Sequence, residues 1–295
     1  MSDELKRHAR SFGGVADAYD RGRPSYPDDA VTWLTGPEPL TVLELGAGTG
    51  KLTERLVALG HDVHASEPDL AMLEILRRNL PEVPTSATSA EEIPLGDQSV
   101  DVVVGAQCFH WFDPETALPE IARVLKPGGH LSLVWHQRDE RIPWVKKLGR
   151  IIGNQDQLRD PTAPVDASGL FGEVEAETFK FWQVVDRRSI VDLARSRSNL
   201  AVMEDAERER VLADLLALYD DYGRGMDGMQ LPYRTACFRT PVLAQVVRES
   251  DPVMPLIYST NPDEGRDLFV DSAATLPRVT MNLPDDASTM LIDFR

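Results

Sequence analysis

The run Val42-Leu43-Glu44-Leu45-Gly46-Ala47-Gly48-Thr49-Gly50 sets three alternate glycines directly after an apolar β-type stretch and directly before a segment of helical periodicity beginning at Lys51. A tight strand-to-helix turn needs backbone angles, and a closeness of ligand to main chain, that a Cβ would obstruct, so this reads as a nucleotide-binding turn. A β-type stretch from Asp62 to Ser66 follows and ends at Glu67, an acid spaced from the glycines as a ribose-hydroxyl acceptor should be. Strand, turn, helix, strand and acid in that order make a mononucleotide-binding βαβ unit. The spacing is Gly-x-Gly-x-Gly rather than Gly-x-Gly-x-x-Gly, which points away from a dinucleotide.

The same alternation of strand and helix continues along the first half of the chain. Leu52, Leu56 and Leu59 fall on one face of a helix closed by Gly60, and Pro68-Asp69 opens a second helix, Leu70 to Leu80, stopped by Pro81. A short strand is expected over Val83 to Ala87. Val100 to Val104 is an unbroken apolar run apart from Asp101, the pattern of a strand buried on both faces of a mostly parallel sheet. Asp113 can cap a helix with Pro114 in its first turn, running to Leu125 and ended by Pro127-Gly128-Gly129, and His130 to Trp135 returns as the next strand. Further on, the patterns predict a helix over Trp144 to Ile152 and strands over Glu173 to Asp186 and Leu231 to Arg239. Between those strands lies a mostly helical stretch, Ser189 to Gly223. The expected architecture is α/β, a doubly wound sheet with its ligand at the carboxyl ends of the strands.

Composition narrows the partners. A formal charge of −17 over 295 residues argues against nucleic acid, whose phosphates are bound by clustered Lys and Arg. Cys108 and Cys237 make neither a disulfide framework nor a zinc-ligand spacing, and no metal site is expected. No segment has the apolar length to span a bilayer, and the charged start from Met1 to Arg10 does not resemble a signal peptide, so no membrane partner and a cytoplasmic location are expected.

Beyond the glycine turn, the segment Ala90-Glu91-Glu92-Ile93-Pro94-Leu95, the strand at Val100 and the stretch Glu120-Ile121-Ala122-Arg123-Val124-Leu125-Lys126-Pro127-Gly128-Gly129 add to the pattern. With them the chain resembles the class I S-adenosylmethionine-dependent methyltransferases of the type 11 kind, continuously over its first half and more loosely to about Thr240. The N-terminal residues Phe12, Tyr19 and Arg23-Pro24-Ser25-Tyr26-Pro27 resemble the trans-aconitate methyltransferase-like subgroup. The resemblance implies a seven-stranded Rossmann-like sheet with an antiparallel late edge. It divides the chain into an N-terminal segment over 1–40 that folds over the cofactor, a methyltransferase domain over 41–240 whose helical insertion 189–223 covers the active site, and a C-terminal extension over 241–295. That extension carries a helix through Arg248 and apolar pieces at Leu256-Ile257-Tyr258 and Met290-Leu291-Ile292; it reads equally as an extra hairpin, an oligomer contact such as a homodimer, or partial disorder.

For the cofactor, S-adenosyl-L-methionine, the resemblance implies contacts from Gly46, Ala47, Gly48 and Gly50 through the main chain, with Glu44 near the amino group. Glu67 accepts from both ribose hydroxyls, which a carboxylate does well. Pro68 and Met72 are candidates to sandwich the adenine, although a Met at helical spacing is as often core. Ala90 and Glu91 match the loop at the adenine edge, Ser89 stands where an Asp is common, and Gln107 matches a position that contacts the methionyl part. Tyr19 and Arg23 are candidates for the methionyl carboxylate, with the alternative that they only pin a loop. His110 is the candidate general base for a hydroxyl or amine acceptor, and Trp111 a pocket wall; a carboxylate acceptor would need no base.

The expected activity is methyl transfer to an oxygen, a carboxylate among the options, or to a nitrogen of a small-molecule acceptor. The alternatives are a non-catalytic nucleotide-binding or scaffold module and an NAD-dependent dehydrogenase, the latter disfavoured by the glycine spacing and by Lys126-Pro127-Gly128-Gly129.

Overall fold

The computed structural model describes residues 16–153, 162–223 and 228–243. The expectations for Phe12, for the helix through Arg248 and for the apolar pieces near Leu256 and Met290 lie outside the described residues.

In chain order the elements are α1 (Ala16–Gly22), α2 (Asp28–Thr35), β1 (Thr41–Leu45), α3 (Thr53–Ala58), β2 (Asp62–Ser66), α4 (Leu70–Asn79), β3 (Thr85–Ser86) and β4 (Val100–Ala106). Then come α5 (Pro114–Val124), β5 (Leu125–Arg138), α6 (Pro143–Ile152), α7 (Thr162–Ser168) and β6 (Glu175–Val185). The described chain closes with α8 (Ser189–Arg195), α9 (Ser198–Ala201), α10 (Asp205–Tyr222) and β7 (Met229–Pro241). The sheet runs β3-β2-β1-β4-β5-β7-β6. Its first five strands are parallel, and β7 lies antiparallel to both β5 and β6. This is the doubly wound, mostly parallel seven-stranded sheet expected.

The lack of polar alternation in β1 and β4 has a direct cause. Leu43, Leu45 and Val103 pack on one face with Leu118 and Ile121 of α5, while Val42, Val102 and Val104 pack on the other with Ala30, Val31 and Leu34 of α2 and Leu56 of α3. Since successive side chains alternate faces and both faces are covered, every position is apolar except where chemistry intervenes. The exceptions are Thr41 and Asp101, half-buried near the strand starts where Asp101 pairs with Lys126 and accepts from Thr41 N–H, and Glu44, 1% exposed in the middle of β1.

Helix starts follow their caps. Asp69 accepts from the N–H groups of Ala71 and Met72 at the head of α4, and Asp113 accepts from Glu115 at the head of α5. Helix α3 starts at Thr53, later than the pattern from Lys51 suggests, because the turn after Gly50 uses Lys51 and Leu52 before regular helix begins. Strand β5 begins at Leu125, earlier than His130. Leu125 already pairs with Val100, and the Lys126–Gly129 stretch makes a register shift, with Gly128 at φ 81°, before His130 pairs with Val102.

The insertion forms a second core of its own. Leu212, Leu215 and Leu218 of α10 pack with Val145 and Leu148 of α6, Ile190 and Leu193 of α8, and Leu231 of β7. No helix among the described residues is long and apolar enough to cross a membrane.

Candidate active site

All three glycines of the turn have positive φ: 65° at Gly46, 57° at Gly48 and 91° at Gly50. L side chains rarely adopt this region. At Gly46 space is also short, since a Cβ would fall 2.7 Å from the Cβ of Cys108 on the neighbouring strand end. The turn is held to the tip of β2: Ala47 N–H donates to Ser66 O at 3.0 Å, and Gly48 N–H donates to Glu67 Oε2 at 2.8 Å. Glu67 Oε1 accepts from Asp69 N–H at 2.8 Å, which fixes the orientation of the carboxylate. Burial raises the Glu67 pKa above its ordinary value, and the two main-chain donors oppose that rise.

Glu44 lies beneath the turn. Thr53, at the first position of α3, donates its hydroxyl to Glu44 Oε2 at 2.6 Å. Burial pushes the Glu44 pKa up to about 8, with the Thr53 hydrogen bond acting against it. The Thr49 hydroxyl is buried and has no hydrogen-bond partner among the described residues. A turn of open glycine backbone, an unpartnered buried hydroxyl and two buried acids fit a ligand that combines a ribose with cationic groups.

Helix α1 covers this turn. The Tyr19 ring lies over Gly48, 3.8 Å from where a Cβ on that glycine would sit. Asp20 pairs with Lys51 at 3.0 Å, and Ala16 packs on Met72 and Ile75 of α4. The other side of α1 meets the insertion. Arg21 grips Asp192 of α8 through Nε at 2.8 Å and Nη2 at 3.2 Å, Arg23 Nη2 donates to Ser196 O at 3.0 Å, and Gln183 Nε2 donates to Gly22 O at 2.9 Å. The Arg23 guanidinium stacks over the Tyr19 ring at 4.8 Å, and its Nε is buried without a hydrogen-bond partner among the described residues.

Beside the turn is a small opening. Tyr19, Arg23, Tyr26 and Lys51 line it from the N-terminal side and the glycine turn; Gln107, His136, Arg138, Leu193, Arg197 and Tyr233 complete it from β4, β5, the insertion and β7. The ionisable wall is cationic or neutral, in a chain that is acidic as a whole. His136 is stacked between Tyr26 and Phe181, at 4.5 and 5.4 Å. Its ring nitrogens contact Ser25 O and Thr235 Oγ1, each at 2.9 Å, and burial lowers its pKa to about 4. Burial likewise raises the Tyr19 phenol, takes Tyr26 well above its usual value and Tyr233 to about 12.

The candidate residues from the sequence fall into four groups. Glu44, Gly46, Ala47, Gly48, Gly50 and Glu67 gather at the glycine turn, and Tyr19, Arg23 and Gln107 line the opening beside it; Gln107 has a φ of 59° and donates its N–H to Val134 O at 2.9 Å. Ser89, Ala90 and Glu91 sit in the loop before β4. Ala90 is core, and Glu91 Oε1 accepts from Asp113 N–H at 2.8 Å, so this carboxylate braces the start of α5. Met72 is 3% exposed and packed against α1, and Pro68 is exposed. His110 and Trp111 lie in a short 3-10 turn with their rings 4.5 Å apart; His110 is exposed, and neither belongs to the wall of the opening.

Sequence patterns left Lys51, His136, Arg138, Arg197 and Tyr233 without a site role. For His136 and Arg138 a signal existed, polar residues at the carboxyl end of an apolar parallel strand, where doubly wound sheets bind ligands. Arg197 stands in a helix-rich insertion where a charged residue reads as surface.

A family model described as a methyltransferase domain matches residues 43–133. An uncharacterised methyltransferase of Mycobacterium tuberculosis H37Rv is 45% identical over 233 residues, 78% of this chain and 94% of that one. An uncharacterised methyltransferase-like protein of Schizosaccharomyces pombe is 38% identical over 237 residues, 76% of this chain and 92% of that one. Among solved structures, a putative type II methyltransferase from Anaeromyxobacter dehalogenans superposes with a TM-score of 0.54 at 25% identity, over 75% of this chain and 97% of that one. Sheet order, glycine turn, acid at the tip of β2 and these likenesses agree, and the chain belongs to the class I S-adenosylmethionine-dependent methyltransferases.

Proposed function

We propose that this enzyme transfers the methyl group of S-adenosylmethionine to an ionised oxygen, a carboxylate, of a small-molecule acceptor held in the opening beside the glycine turn. The cofactor supplies an electrophilic methyl on a sulfonium. The protein's part is to hold, orient and desolvate the acceptor, since in-line positioning provides much of the acceleration in such a transfer.

One observation carries this reading: the wall of the opening presents Arg23, Lys51, Arg138 and Arg197 and no carboxylate among the described residues. Asp20 on Lys51 and Glu140 on Arg138 offset part of this charge, but an ammonium acceptor would still meet guanidinium groups, and at an effective dielectric of about 20 each unit-charge pair 4 Å apart is worth about 4 kcal/mol. An amine or alcohol would also need to lose a proton. The His136 ring is engaged at both nitrogens and its pKa sits near 4, while the three phenols stay protonated at neutral pH, so this wall offers no ready base. A carboxylate arrives with its lone pair free and is drawn to the arginines, which bind it in paired hydrogen bonds.

The supporting placements are those of Tyr19 and Arg23 over the turn and of Glu67 at the ribose end. His110, exposed and apart from the opening, is given no role as base here. The test is incubation of the full chain with isotopically labelled cofactor and a metabolite extract, followed by mass spectrometry. Base-labile methyl esters are the expected products; methylation confined to nitrogen would overturn the carboxylate reading.

A further inference from the structure

We propose that Arg21 and Asp192 are positioning residues that couple the cofactor turn to the opening beside it. Through this pair the insertion holds α1 over the glycines, and a ligand on the turn firms the wall of the opening in return. The coupling concerns how the two halves of the site act on each other and stands whichever atom accepts the methyl group.

Helix α1 is only about two turns long, yet it grips both halves of the molecule. On the cofactor side the Tyr19 ring lies over Gly48, Asp20 pairs with Lys51, and Ala16 packs on Met72 and Ile75 of α4. On the insertion side its last turn meets α8 main chain to main chain, since a Cβ on Gly22 would fall 2.4 Å from the carbonyl carbon of Asp192 and the nitrogen of Leu193. Arg21 spans the same contact, with Nε 2.8 Å from Asp192 Oδ2 and Nη2 3.2 Å from Oδ1. A second link runs through β7 and β6: the Tyr233 hydroxyl donates to Gln183 Oε1 at 3.0 Å, and Gln183 Nε2 donates to Gly22 O at 2.9 Å. Leu193, next to Asp192, and Tyr233, one hydrogen bond from Gln183, both line the opening. A shift of α1 is therefore felt at two places in that wall.

Asp192 is 6% exposed in a helix whose Ile190, Leu193 and Ala194 are core. A carboxylate so placed is costly without a partner, and Arg21 comes to it from 171 residues earlier in the chain. The Arg21 side chain is 48% exposed, and a pair with one half-solvated member is weak enough to break and re-form. That suits a joint rather than a permanent brace. A short helix with one attachment to the glycine turn and another to α8 is held best when a ligand fills the space between Tyr19 and the turn. Whatever favours α1 in place then favours cofactor and opening together, and the effect is reciprocal.

The experiment uses the full chain with S-adenosylhomocysteine as probe and reads amide hydrogen exchange by mass spectrometry, beside calorimetric affinity and a melting curve. In the wild type the probe should slow exchange in α8 about fivefold or more, the low end of coupling between sites, although α8 is a separate element from the turn. Asp192→Asn should lose most of that slowing, keep it at residues 46–50, and bind the probe about fivefold more weakly. Arg21→Lys, which keeps the charge, should retain part of both effects. Arg21→Gln, at a half-exposed position, repeats the test should Asp192→Asn fail to fold. Slowing at residues 46–50 reports occupation of the cofactor site separately from the coupling. No slowing in α8 of the wild type, undiminished slowing there in Asp192→Asn or Arg21→Gln, or a lower melting temperature with affinity unchanged would each overturn the coupling; the last would make the pair a brace of the fold.

Discussion

The carboxylate of Glu67, at the tip of the second strand, accepts a 2.8 Å hydrogen bond from the main-chain N–H of Gly48, in the turn that follows the first. The group that should receive the ribose is thereby tied to the backbone that should face the methionyl part, and neither can shift without the other. Replacing Glu67 by Ala should weaken S-adenosylmethionine binding by about ten- to a hundredfold, the range for losing hydrogen bonds to a charged group. Calorimetry would measure this, with Glu67→Gln separating charge from shape. Unchanged affinity would remove Glu67 from the ribose assignment.

Glu44 makes stability depend on pH in a direction unusual for a carboxylate. Its folded pKa of about 8 lies above its ordinary 4.5, so the folded state holds the proton more tightly than the unfolded one. Its stabilising contribution is fully present below about 4.5 and is lost as pH rises through about 8. Glu44→Gln, which keeps shape but cannot ionise, should gain on the wild type by up to a few kcal/mol as pH rises over that window. Ligand-free melting curves across the range would show it; a gap that does not change with pH would contradict it.

Gly22 should tolerate no side chain. A Cβ there would lie 2.4 Å from the backbone carbon of Asp192 and the nitrogen of Leu193, and main chain cannot move aside cheaply. Gly22→Ala should push α1 off α8, costing about 1–3 kcal/mol as overpacking does. Because Tyr19 and Arg23 travel with α1, cofactor affinity should fall as well. A melting temperature equal to the wild type would show that the contact is looser than described.

Arg123 is a buried hub, 3% exposed. It holds Glu120 through two hydrogen bonds of 2.8 Å, Asp97 at 2.8 Å, and the carbonyls of Leu95 and Ile93 at 2.8 and 3.0 Å. Arg123→Met should cost about 3 kcal/mol, because it strands two acids and two carbonyls. It should also loosen the loop that carries Ser89, Ala90 and Glu91. Denaturant melts would give the first effect, and hydrogen exchange at those residues the second; full protection there would refute the coupling.

Local pattern was informative wherever the chain repeats a rule with each residue. The glycines at Gly46, Gly48 and Gly50 announce positive φ, and the apolar run around Val102 announces a strand covered on both sides. Met72 shows where local pattern is ambiguous: adenine contact and packing ask for the same side chain at the same helical position, and it packs against α1. His110 shows another gap, since following the fourth strand in sequence did not bring it into the wall of the opening.

What the order of residues determined alone was the βαβ unit, its turn, the acid at the tip of the second strand and the alternation that makes a doubly wound sheet. These depend on neighbours a few positions apart, through backbone angles and the period of side chains on strand and helix. Only the tertiary structure decided that Arg23, Arg138 and Arg197 share one opening with Tyr233, and that α1 bridges the glycine turn and the insertion. Their separations along the chain carry no periodic signal. A charged residue destined for a buried cavity and one destined for solvent look alike until packing settles which faces are covered.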